Sequence, residues 1–497
     1  MRWESRFKVW VQSLYISSDN RSTGWIGWLW NTALYLAGGF LWGYFLNWGR
    51  GPFHFHDWSE ITGPRLTFLK DAVTRGILPL HISNPRALNY VTDRFMSIPD
   101  VILSPQVLLL RFLEIGPFVL LNTLLLYSLG FLGLLWLQKK YSLSGMVLAI
   151  FFVFFNFNGH ILAHNSVGHF TWGGYFLFPW LIAFFLQLLE GEHSWAWIGK
   201  TSLLLFLMFL QGSFHQYVWS LIFLALLAVF VPIHFWTLMK TGVFAILLSM
   251  VRILPPALLY GSFGKTSEFI SGYPSIGFIW SSMVDFLHPG LHTDAAGTMN
   301  PTGEWEFSLF VGFTGTLFIL YFGAVRWFRS GPQHDRAGLL LLPAMAISLL
   351  SLNHVFKYVH LLPIPLLAGE RVASRMIVLP FMVLLTLAVM ELQRWLDKSP
   401  HTRLVQVGII FFLLAASHDL WQNFRLWMVL SASGGFDYLH FSGLGYSVVN
   451  RYDDRAYLLS LVVGLVISLL SLACLAVLTY RERRQKTLYS RSVPQSG

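Results

Sequence analysis

Cysteine and charge are what this sequence has least of. One cysteine, Cys474, stands in 497 residues, so no internal disulfide is available and thiol usage says nothing about compartment. It lies in the last apolar run and is expected to be a buried thiol. Charged residues make up 12% of the chain, half of the roughly 25% usual in soluble domains. Hydrophobic residues make up 55%, and the mean hydropathy is +0.57. Apolar runs of about 20 residues recur, each long enough to cross a hydrocarbon core of about 30 Å. These features predict an all-α integral membrane protein, and no stretch outside the membrane is large enough to fold alone.

The net charge of +10 would suit a nucleic-acid partner only if the basic residues clustered on one surface. Instead they sit mainly at the ends of apolar runs, where positive-inside placement explains them. The segment Met1–Ser22 is polar and basic for too long before its apolar run to read as a cleavable signal, so the first span is expected to be retained.

Twelve apolar runs are read between polar breaks, near 25–47, 115–137, 143–158, 173–189, 199–213, 216–232, 238–256, 305–324, 338–353, 376–392, 404–421 and 457–480. The predicted organisation is an N-terminal tail (1–24), one polytopic domain (25–480) and a basic C-terminal tail (481–497). An even number of spans puts both tails on one side. Taken as cytoplasmic, that side carries Lys139, Lys140, Lys200, Lys240, Arg326, Arg329, Arg336, Arg394, Lys398 and Arg403 in its loops, and Arg481, Arg483, Arg484 and Lys486 in its tail. Every inner loop then holds a basic residue, which is the positive-inside pattern. The expected site is a bacterial cytoplasmic membrane, with the long loops 49–114, 257–304 and 422–456 on the outer face.

Twelve of the 17 histidines fall on outer segments once the shorter outer turns are counted with these loops. So do Arg50, Arg65, Lys70, Arg75, Arg86, Arg94 and Arg111 of the first loop. Either long loops translocate regardless of charge, or this surface meets anionic headgroups or a phosphorylated substrate.

The first outer loop opens with His54-Phe55-His56-Asp57-Trp58-Ser59-Glu60. Two carboxylates and two imidazoles at a membrane surface suit proton abstraction or a metal ion. On a helix Asp57 and Glu60 would share one face, and a carboxylate beside Trp58 and lipid is expected to have a raised pKa, as a general base requires. The plain alternative is an interfacial amphipathic helix with one of these carboxylates as its N-cap. His160 and His164 stand four apart and, with His56 and Asp57, are metal-ligand candidates. Interfacial histidines are more often ordinary hydrogen-bonding groups. Asp285, His288 and His292 form a less specific cluster. Tyr260, Tyr273, Trp280 and Trp305 would stack on sugar rings or serve as interface aromatics.

The order within the first loop carries a resemblance. Asp57 after the first span, Gly63-Pro64 and an amphipathic stretch to Arg75, Gly76-Ile77-Leu78-Pro79-Leu80-His81, then Pro99, Pro105 and a second amphipathic stretch to Glu114 resemble the GT-C superfamily of polytopic glycosyltransferases, including protein O-mannosyltransferases and YfhO-like proteins. Gly159-His160 through His169-Phe170 and Leu177-Phe178-Pro179-Trp180 resemble an outer turn and span of YfhO-like members. Glu304-Trp305-Glu306-Phe307 and Glu370-Arg371-Val372-Ala373-Ser374-Arg375 resemble elements ahead of two later spans. The resemblance covers most of residues 25–392; His54 and His56 depart from it, as does the lack of a large C-terminal soluble domain.

It implies transfer of a sugar from a polyprenyl-phosphate donor to an acceptor on the outer face, with inversion. Asp57 would be the base and Glu60 its substitute, with Arg371 and Arg375 on the carrier phosphate. His54, His56, His169, Glu304 and Glu306 would contact substrate. The acceptor (lipid, polysaccharide or protein) is not specified, and no cofactor is expected beyond a divalent ion that the histidine and aspartate residues would hold. Arg371 and Arg375, four apart, would share a helical face, or would anchor a span at headgroup level. A transporter or flippase would need charges deep within spans and repeat symmetry, and a haem or copper subunit would need histidines facing each other inside spans. A GT-C fold without activity is a further alternative.

Overall fold

A run of apolar residues without water must satisfy its backbone internally, and helices do this within one segment. The computed structural model is accordingly helical. It describes residues 14–15, 24–51, 53, 56–88, 90, 92–258, 270–286, 303–330, 336–362, 369–398, 403–429 and 446–492. Among these residues there is no strand, only isolated bridges such as His81 with Arg94 and Ser271 with Val372.

The apolar runs read from the sequence fall largely on helices, though 305–324 enters its helix only at Gly312 and 238–256 is split between Phe235–Leu248 and Met250–Ala257. Among the described residues six helices are long and apolar enough to cross a membrane, or seven if the pair Phe214–Phe230 and Pro232–Leu248, bent by 115°, counts as one. The six are Ile115–Lys140, Gly145–Ser166, Phe170–Leu189, Ala373–Lys398, Arg403–Trp427 and Arg455–Thr487. This is an all-helical membrane protein.

The helices differ in what surrounds them. Gly145–Ser166 and Ala373–Lys398 are almost wholly enclosed by protein, whereas Arg403–Trp427 and Arg455–Thr487 turn most of their apolar surface outward. Outward apolar surface on this scale is at odds with water and natural in lipid. Cys474, expected to be buried, lies on that outward surface; an apolar run facing lipid needs no buried side.

Polar contacts between distant segments gather at two ends of the bundle. At one end Lys140 pairs with Glu190 at 2.9 Å, Arg326 with Glu391 at 2.8 Å, and Trp195 N donates to Glu482 at 2.7 Å. At the other, the first loop meets the start of the last helix: Arg94 donates to both oxygens of Asp454, at 2.7 and 2.9 Å, and His81 lies 3.3 Å from it. Tyr273 N donates to Ser351 O, and Ser374 Oγ to Glu306 O, at this same end. The first loop is built into the body: Phe68, Leu69, Phe95 and Ile98 are fully buried.

Candidate functional site

The site begins where the chain leaves the Gly24–Phe45 helix. His56 has φ 54°, uncommon for a residue with a side chain. Its carbonyl accepts from Ser59 N, Glu60 N and Ser59 Oγ, which holds that conformation. The next turn, Trp58–Thr62, is a π-helical turn that runs into the Gly63–Arg75 helix. It docks on the 165–168 turn by two hydrogen bonds, Trp58 Nε1 to Asn165 O at 3.0 Å and Thr62 Oγ1 to Gly168 O at 2.6 Å. Docking this close requires glycine at 168: its φ is +91°, and a Cβ would stand 2.3 Å from Trp58 N.

That contact delivers Asp57 to His169. Asp57 Oδ2 lies 3.1 Å from His169 Nε2, and Oδ1 lies 2.9 Å from His56 Nδ1. His169 Nδ1 in turn is 2.6 Å from His164 Nδ1. His164 sits on the Gly159–Ser166 helix, started by Asn158, whose side chain accepts from Ile161 N. His160 on the same helix is turned to Trp172, accepting from its Nε1 at 3.1 Å.

Around this chain stand paired charges and aromatic rings. Trp305 packs 4.5 Å from the His56 ring and donates to Glu306. Glu306 takes two hydrogen bonds from Arg375, whose guanidinium lies 5.1 Å over the Trp172 ring. His215 Nδ1 is 2.7 Å from Glu370 on the far side of Trp172.

Several sequence expectations change here. Burial alone would raise the pKa of Asp57, but the hydrogen bonds from His169 and then His56 hold the carboxyl far below its usual range; the expected raised value is overturned because imidazoles, not lipid, are its neighbours. Burial pulls His56 down, but the Asp57 hydrogen bond and charge outweigh it and raise the imidazole above its ordinary 6.5. Glu60 does not share the face of Asp57. It is exposed, because a π-turn spaces residues more widely than an α-turn. Arg371 and Arg375 do not share a helical face either: Val372 between them is extended, Arg371 is exposed, and Arg375 lies half-buried within the Ala373–Ile377 turn.

Glu304 is buried in the same turn as Glu306. Of the residues named from sequence, the structure gathers His56, Asp57, His164 and His169, with Glu306 and Arg375 beside them. His54, His288, His292 and Tyr260 lie outside the described residues. The His215–Glu370 pair was not foreseen, since nothing local links a histidine opening one helix to a glutamate far along the chain.

Among the described residues, His56, Asp57 and His169 are the group whose ligand atoms are close enough to share a metal ion, all within 4.8 Å of one another. Two imidazoles and a carboxylate suit a divalent transition ion. His160 and His164 belong to other bonds. No family model, curated protein or solved structure matches the chain.

Proposed function

We propose that this chain is a membrane glycosyltransferase of the GT-C type, moving a sugar from a polyprenyl-phosphate donor to an acceptor hydroxyl on the outer face of a bacterial cytoplasmic membrane. The observation that carries the reading is Asp57: a half-buried carboxylate on the first loop, clamped between two imidazoles, at the bundle end where loops far apart in sequence meet. The two sets of end contacts are those expected if the twelve apolar runs cross in alternation, with both termini cytoplasmic.

Asp57 orients the acceptor hydroxyl. As general base it takes that hydroxyl's proton, with the imidazoles of His56 and His169 against its two oxygens to share the added charge. The donor's C1–O(phosphate) bond breaks as the acceptor oxygen bonds to C1 from the opposite face, and the carrier leaves as polyprenyl phosphate. Incubating the purified protein with radiolabelled polyprenyl-phosphate sugars and candidate acceptors tests the reading. Product with inverted anomeric configuration supports it; no transfer from any donor overturns it.

A second reading rests on the clustered ligand atoms: His56, Asp57 and His169 would hold a divalent ion that binds the donor's phosphate. Metal analysis of protein purified without chelator, beside a His169→Ala variant, tests this. A stoichiometric ion lost in the variant supports the metal; none in either discards it.

A further inference from the structure

Among the described residues near the site, the buried or half-buried guanidiniums have polar partners, except one. Arg375 is paired with Glu306. Arg252 donates to the carbonyls of Met96, Ile98 and Asp100 at 3.1, 2.6 and 3.1 Å. Arg94 is paired with Asp454. Arg65, on the first turn of the Gly63–Arg75 helix, is 91% buried by its 9% exposure, yet it forms no ion pair or hydrogen bond with any described residue. Its Nε is shut away without a partner. The contact it does make is with the Tyr90 ring, 5.9 Å from its Cζ.

Nearby carboxylates leave it unpaired. Asp57 and Asp100 are within electrostatic reach of Arg65, but no carboxylate oxygen of a described residue lies within ion-pair distance of it. Asp100 spends one oxygen on Val101 N at 2.6 Å, and Arg252 stands on its other flank. Two guanidiniums thus face one carboxylate, which leaves positive charge in excess. Burial pushes Arg65 down and Asp100 up, as expected of charges not joined in a tight pair. A buried cation without a partner costs several kcal/mol, and the guanidinium fork matches the oxygens of a phosphate.

We propose that Arg65 is an anion subsite that receives the phosphate of an isoprenyl phosphate, an inference that rests on the transferase reading for its ligand but on Arg65 alone for its chemistry. The resemblance implies Arg371 and Arg375 for the phosphate; the first is exposed, and the second is paired with Glu306 over Trp172.

The charge balance of the transfer fits this role. The donor is a phosphodiester with one negative charge, and the departing carrier is a monoester with two. The proton lost by the acceptor hydroxyl goes to the Asp57–histidine chain, so total charge is conserved while one unit moves onto the phosphate. A cation unpaired before reaction gains most at that moment, and such differential interactions are what accelerate a step.

The test uses the full-length protein in detergent and measures binding of farnesyl phosphate, farnesol and inorganic phosphate to wild type, Arg65→Gln and Arg65→Met. Farnesyl phosphate binding should fall at least tenfold in both variants, with farnesol unaffected. Competition by inorganic phosphate at millimolar concentration would assign the site to the phosphate group itself; competition only by farnesyl phosphate would assign it to the lipid-linked form. Thermal unfolding separates a binding role from a structural one: methionine in place of an unpaired buried cation should leave the melting temperature equal or higher. Equal farnesyl phosphate affinity in wild type and variants overturns the proposal, as does a lowered melting temperature in Arg65→Met. Wild-type binding without any sugar transfer would sink the transferase reading and leave the anion subsite standing. Full sugar transfer by Arg65→Gln would do the reverse.

Discussion

Replacing Gly168 by alanine would drive a methyl group into the backbone that carries Asp57. Two costs add. Alanine at φ +91° is strained by about 1 to 2 kcal/mol. The new Cβ would also stand 2.3 Å from Trp58 N and 2.8 Å from the Asp57 carbonyl carbon. Those are backbone atoms that cannot rotate away, and overpacking of this kind costs about 1 to 3 kcal/mol. The loss is therefore about 2 to 5 kcal/mol, unless the Trp58–Thr62 turn lifts off and surrenders the Thr62–Gly168 hydrogen bond. Lifting by about 1 Å would part Asp57 from His169, and a displacement of that size costs about 100-fold in rate.

Gly76→Ala is the internal control. Gly76 is also left-handed, at φ +69°, but a Cβ there meets nothing within 4 Å. It should lose only the conformational part, about 1 to 2 kcal/mol, with transfer rate unchanged. Thermal unfolding and transfer rate of both variants in the same detergent decide the matter. Equal stability and equal rate for the two would refute the claim that close docking at Gly168 positions Asp57.

Two further outcomes follow from the site. Glu306→Gln leaves the half-buried Arg375 without its counter-charge and should destabilise the protein by about 3 to 5 kcal/mol, measured by thermal unfolding against wild type; a loss below 1 kcal/mol would show that the pair is not what holds Arg375 over Trp172. Stability should also depend on pH through Asp57 and His56. The Asp57 carboxyl titrates below its ordinary 3.8, so its contribution is complete above that value and is lost as pH falls through the depressed folded value. His56 titrates above its ordinary 6.5, so its contribution is complete below 6.5 and is lost as pH rises through the raised folded value. Their tie is thus strongest between those two ordinary values, and Asp57→Asn should flatten both flanks of the melting-temperature profile; an unchanged profile in that variant would contradict the pairing.

The helices were legible because apolar length is a local property: each run from 25–47 to 457–480 carries its own signal. What a single run could not show is which face meets lipid, so Cys474 was misplaced. Asp57 stood out because its loop is polar where neighbouring segments are not. Its acidity was not legible, since His169 reaches it only after two turns dock at Gly168, a contact between distant parts of the chain. Glu60 was drawn in by assuming α-helical spacing where the chain makes a π-turn, and Arg371, named through the resemblance, was given a helical face where Val372 is extended. Arg65 was visible only as one of several basic residues in the loop. Its distinction is the absence of a partner, which no sequence pattern records.

The central claim is that Asp57 performs the transfer chemistry, and it is tested most directly by comparing wild type with Asp57→Asn in sugar transfer from polyprenyl-phosphate donors, with farnesyl phosphate binding and thermal unfolding as checks that the variant is intact. The account predicts transfer by wild type and a loss of about 10²- to 10⁴-fold in a folded, ligand-binding Asp57→Asn protein. Undiminished transfer by that variant would contradict it.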